Sequence, residues 1–196
     1  MDPLELPPGY VDVAGLVQDL TRSLAERSAR IVTVDGWQGS GKTTLAKNLA
    51  SSLGLSRYEL DDFLQEHRGG FLEYLDYLQL TAALTEAFKK SRPILLDGIC
   101  VLEVLQRIGL RPDVKVYVRK ISASGIWHHG LKLDPSKTAE QVIEEDREIA
   151  RRWAEMEGTK FGESGEPLAY EIIRYHYKYL PHETAQFYFN RVEEVG

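Results

Sequence analysis

The chain has 196 residues, 43% of them apolar, 28% charged and 10% aromatic; that is enough for one packed domain and excludes both a stapled mini-protein and wholesale disorder. With 24 Lys and Arg against 30 Asp and Glu the net charge is −6, so nothing draws the whole molecule to nucleic acid or to an anionic membrane. The single cysteine, Cys100, excludes an intramolecular disulfide and suits a reducing compartment.

The lead-in MDPLELPPGY lacks the basic and apolar stretches of a secretory signal, and no apolar run reaches the ~18 residues of a membrane span. A cytoplasmic location is the expectation. Val13, Leu16, Val17, Leu20 and Leu24 recur at helical spacing and predict an amphipathic helix ending near Ser28. Residues 30–35 are β-branched and close on Gly36, which reads as a buried strand. Leu45, Ala46, Leu49, Ala50 and Leu53 form the next helical stripe, stopped by Gly54. A short strand at 58–60 runs into Asp61-Asp62, and 71–90 reads as helix in two pieces broken near Leu80-Thr81. Strands follow at 94–97, 114–118 and 185–192, with helices at 101–108, 138–157 and 167–179. Strands alternating with helices predict βαβ units, hence an α/β fold whose parallel sheet is covered on both faces.

Gly36-Trp37-Gln38-Gly39-Ser40-Gly41-Lys42-Thr43 fits the pattern G-x-x-x-x-G-K-S/T, between a β-branched strand and an apolar-periodic helix. Glycines allow backbone N–H groups to converge on phosphate oxygens, and the helix N-terminus adds its dipole. Lys42 is spaced to reach the outer phosphates and the Thr43 hydroxyl to ligate Mg2+. The expected nucleotide-binding set is Gly36, Gln38, Gly39, Ser40, Gly41, Lys42, Thr43 and Thr44. The glycine spacing does not fit G-x-G-x-x-G, which excludes a dinucleotide loop. No N-K-x-D segment occurs, which disfavours a guanine-nucleotide switch.

Leu60-Asp61-Asp62-Phe63 resembles the D-S/D-F/Y segment of the uridine kinase and nicotinamide riboside kinase group of P-loop kinases. Ile94-Leu95-Leu96-Asp97-Gly98-Ile99 resembles that group's apolar strand ending in an acid and glycine. The resemblance implies a three-layer α/β/α fold with a five-stranded parallel sheet, in one domain over 1–196. It places a helix in 1–29 ahead of the first strand and a helical lid at about 120–165. It also implies that Asp61 accepts the proton of a substrate hydroxyl, and that Asp97 holds Mg2+ with Thr43. Lid arginines would embrace the phosphates, here Arg147, Arg151 and Arg152. Arg147 and Arg151 share a helix face, but Glu148 with Arg152 equally describes a solvated, ion-paired helix. Tyr179-Leu180-Pro181 resembles the segment near the adenine.

The chain departs from uridine kinases between His67 and Arg92, where neither the pyrimidine-binding hairpin nor Asp-His-Pro occurs. His67, Arg68, Tyr74 and Tyr77 are candidates for an acceptor pocket, although Tyr74 and Tyr77 also read as a half-buried helix face. Trp127 reads either as a stacking surface or as packing on the body. His128 and His129, adjacent and without other ligands, give no zinc site. Cys100 reads as a core thiol. The expected activity is ATP- and Mg2+-dependent phosphorylation of a hydroxyl on a small, nucleoside-like molecule. The alternative is a regulatory ATP-binding or ATP-hydrolysing P-loop protein without an acceptor. Partners are expected to be ATP and the acceptor, with no nucleic acid and no membrane, and an oligomer is left open.

Overall fold

A computed structural model describes residues 6–65, 70–90, 92–158 and 168–194. α1 (Val13–Arg27) begins where the Asp12 carboxylate accepts the Gly15 N–H at 2.7 Å. β1 (Ile31–Gly36) is buried along its whole length, as a central parallel strand must be. α2 (Lys42–Leu53), β2 (Ser56–Glu59), α3 (Tyr77–Lys89), β3 (Ile94–Asp97), α4 (Val101–Arg107) and β4 (Val114–Ile121) follow. The chain closes through α5 (Ala139–Glu157), α6 (Leu168–Tyr179), the single turn α7 (Pro181–Thr184) and β5 (Phe187–Val192).

The five strands lie in the order β2-β3-β1-β4-β5, every neighbouring pair parallel. Side chains alternate across a strand, and that alternation builds two cores. Val32, Val34, Leu95, Val116 and Val118 pack with Leu16 and Leu20 of α1 and Leu45, Ala46 and Leu49 of α2. Ile31, Ile94, Leu96 and Tyr117 face Leu80 and Leu84 of α3, Val104 of α4 and Ile173 of α6. The result is the α/β/α arrangement expected of the sequence. Among the described residues no helix is long and apolar enough to cross a membrane.

The region 71–90 departs from expectation. It holds one helix, not two, and that helix starts at Tyr77, where the Asp76 carboxylate caps the Gln79 N–H at 2.9 Å. Leu80-Thr81 is no break: Leu80 is fully buried, and the Thr81 hydroxyl donates to the Tyr77 carbonyl one turn back. Residues 71–74 are bends, and Leu75 bridges to Leu64. The second strand runs 56–59, with Leu60 already in a 3-10 turn, Leu60–Phe63. Pro167, expected to open α6, lies outside the described residues.

Candidate active site at the glycine-rich loop

Residues 36–43 leave the carboxyl end of β1 and enter α2, at the edge where open parallel sheets bind ligands. Gly41 caps α2 with φ of 95° and no side-chain hydrogen bond, which leaves the first-turn N–H groups of α2 to a ligand. Gly36 is required by crowding: a Cβ there would meet the Val118 carbonyl at 2.7 Å and the Ser40 hydroxyl at 2.8 Å. Gln38, Gly39 and Thr44 are exposed, while Ser40 is buried with its hydroxyl unpartnered. The Lys42 ammonium is 9% exposed and donates to the Trp37 carbonyl at 3.2 Å. Burial pulls its pKa down, against the carboxylates of Asp35, Asp61 and Asp97, which favour its charge.

The acids come from the ends of adjacent strands. Asp97 ends β3 and is fully buried; Arg57 of β2 grips it, Nε to Oδ1 at 2.7 Å and Nη2 to Oδ2 at 2.8 Å. Burial pushes Asp97 up to about 6, with the Arg57 hydrogen bond and charge working against it. Glu59 lies opposite Asp97 in the sheet register, pairs with Arg57 at 2.8 Å, and accepts the Thr43 hydroxyl at 3.1 Å. Partial burial raises Glu59, but the Arg57 contacts and the Thr43 bond outweigh it and hold this carboxyl below its ordinary range. Asp61 and Asp62 sit exposed on the 3-10 turn after β2, and the Asp61 carbonyl accepts the Leu64 N–H.

Oxygen donors of this kind suit Mg2+. The Thr43 hydroxyl has Glu59 as its neighbour, and Arg57 engages both Asp97 oxygens. Among the described residues no cluster of His, Cys, Asp or Glu makes a ready cage. Thr43, Glu59 and Asp97 are the oxygen donors here that would face such an ion, its other ligands having to come from water and phosphate.

Two groups at the loop carry no sequence signature. Asp35, next to last in β1, accepts the Gly36 N–H at 2.7 Å and the Tyr175 hydroxyl of α6, and is pushed up by burial to about 6. Trp37 stacks between His129, 4.6 Å away and 4° from parallel, and His176, 4.8 Å away and 25° from parallel. His176 Nε2 also meets the Tyr117 hydroxyl at 2.7 Å. Burial pulls His176 down to about 3 and His129 to about 4, so both are neutral at neutral pH. Trp127 packs on the body, edge-on to Tyr117. Arg57 and Glu59, by contrast, had a usable signal: alternate positions of one strand share a face, and a basic-acidic pair there points to the next strand's acid.

Arg147 and Arg151 both pair with Glu144 on α5, at 3.4 and 3.3 Å, and Arg147 covers the Tyr170 ring at 5.0 Å. Arg152 pairs with Glu148 at 2.6 Å. Tyr77 donates to the Leu72 carbonyl at 2.8 Å, and Tyr74 is half-buried. The Tyr179 hydroxyl meets Gln106, and Cys100 is buried. His67 and Arg68 lie outside the described residues.

No protein-family model matches the chain, and no curated protein matches it. Solved structures similar to it include a possible uridine kinase from Bacillus stearothermophilus, at 18% identity and a TM-score of 0.45, covering 90% of this chain and 96% of that one. A sugar kinase from Janibacter sp. matches at 15% and 0.40, over 84% of each chain. An uncharacterized protein from Eubacterium ventriosum matches at 11% and 0.35, over 83% of this chain and 89% of that one. At these identities the likeness concerns the fold, and residue roles rest on the geometry of the loop itself.

Proposed function

We propose that the chain is an ATP-dependent phosphotransferase that phosphorylates a hydroxyl of a small, nucleoside-like molecule. The observation that carries this reading is the G-x-x-x-x-G-K-T loop at the carboxyl end of the central strand, with Lys42 inside it and the Asp61 carboxylate acting on that lysine's charge. The loop amides and Lys42 hold the outer phosphates of the donor. Thr43, with Glu59 and Asp97 around it, would hold Mg2+, which would supply positive charge against the phosphate chain. Asp61 orients the acceptor hydroxyl and takes its proton as the acceptor oxygen bonds to the γ-phosphorus. The bond from that phosphorus to the β–γ bridging oxygen breaks and ADP leaves. Arg147 and Arg151, on a helix that closes over the site, offset charge on the transferring group. Positioning and electrostatics supply nearly all the rate in this chemistry.

The test is ADP release by the full chain with Mg2+-ATP, alone and with a panel of nucleosides and sugars. The expected result is turnover that requires one class of acceptor and falls by about 10²–10³ in Lys42→Ala. Asp61→Asn should lose turnover at unchanged ATP affinity. Hydrolysis indifferent to every acceptor would instead identify a regulatory ATPase.

A further inference from the structure

Arg191 stands on the edge strand β5, yet its side chain lies against the glycine-rich loop. A Cβ built on Gly41 would come within 2.7 Å of Arg191 Cδ, 3.3 Å of Nη1 and 3.4 Å of Nε. The side chain is exposed, and among the described residues no carboxylate, carbonyl or aromatic ring pairs with it. The nearest acid in sequence that holds a partner, Glu193, is taken by Lys120 at 2.7 Å and His128 at 2.8 Å. Other arginines near the sheet are engaged: Arg57 by Asp97 and Glu59, and Arg119 by the Pro8 carbonyl and the Tyr188 ring. Arg191 is thus a permanent cation on a long, adaptable stem, resting on the helix-capping residue of α2 with no anion to meet. Glycine at 41 is demanded by its φ of 95°, while the flexible Arg191 stem beside it would give way to a Cβ.

We propose that Arg191 is a phosphate-binding residue of the nucleotide site. The Lys42 ammonium lies within the loop on the Trp37 carbonyl, and the Arg191 side chain lies beside Gly41, the cap of the helix that Lys42 opens. Its forked N–H groups suit two non-bridging phosphate oxygens at once, which a lysine ammonium cannot match. The proposal rests on the nucleotide reading above and extends it by one residue that the loop motif does not contain.

The experiment measures equilibrium binding of ATP, inorganic tripolyphosphate and adenosine to the full chain, wild type against Arg191→Ala, Arg191→Lys and Lys42→Ala, with thermal unfolding as a check on folding. Losing a charge-assisted contact should weaken ATP and tripolyphosphate alike by about tenfold to a hundredfold in Arg191→Ala. Arg191→Lys should recover part of that loss, and adenosine should bind the wild type and Arg191→Ala equally. Wild-type affinity for tripolyphosphate in Arg191→Ala overturns the proposal, as does a loss confined to ATP, which would mean a contact to the base. If Lys42→Ala loses binding while Arg191→Ala does not, only this proposal falls. If the wild type binds neither polyphosphate, the nucleotide reading falls with it.

Discussion

Asp35 is held by the Gly36 N–H and the Tyr175 hydroxyl, so a buried carboxyl fixes the first peptide of the loop and ties α6 to it. Burial raises this acid from 3.8 to about 6. Between those values the native state binds more proton than the unfolded chain, so stability falls as pH rises through that window. A shift of this size costs about 3 kcal/mol, fully present above pH 6. Asp35→Asn has no such cost, so its melting temperature relative to wild type should climb from pH 4 to pH 7. A pH-independent difference, followed by calorimetry, would contradict this assignment. The loop and the helix it opens were legible in sequence because the spacing is local. Asp35 was not, because its partner lies on a helix 140 positions away. Asp97 was identified at the end of its strand, but the Arg57 grip on it was not, since strand order is set by tertiary packing.

At the level of elements, periodicity located every long helix, and caps decided where they start. Residues 71–76 carry enough apolar side chains to read as helix, yet Asp76 stops the pattern by bonding Gln79. Apolar content reports burial, and here the burial belongs to irregular chain, Phe71 and Leu72, whose N–H groups bond Glu171 at 2.8 Å. α5 offers a cap that can be tested. Thr138 and Gln141 form a reciprocal box at its first turn. Thr138→Ala should cost about 1 kcal/mol and lower the melting temperature by roughly 2–4 °C. Leu20→Ala, at a fully buried position between α1 and α2, should cost about 2–5 kcal/mol. Denaturant titration ranks the two. A cap variant as damaging as the core variant would mean that α5 carries more of the fold than its exposed face indicates.

Across the whole molecule, the Trp37 stack joins three distant parts of the chain: the loop, the segment after β4 that carries His129, and α6 with His176. Burial lowers both imidazoles, from 6.5 to about 4 and about 3. Their contribution to stability is whole above pH 6.5 and is lost as pH falls through the folded values, the opposite sign to Asp35 and Asp97. Acidification through about pH 4, where the folded His129 takes up its proton, should therefore open the stack. His129→Phe keeps a flat ring beside Trp37 without a proton to gain, so the acid transition seen by tryptophan fluorescence should move to lower pH. An unmoved midpoint would mean that the stack does not limit acid stability.

The Lys42 ammonium donates to the carbonyl of Trp37. Capturing an anion is thus an exchange of one acceptor for another, and the lysine alone supplies little net gain. The surplus has to come from the row of amides beside it, whose number grows with the length of the guest. A compact guest such as sulfate covers only part of that row, whereas an extended one spans it. On the nucleotide reading proposed above, such a loop would sort anions by length before charge.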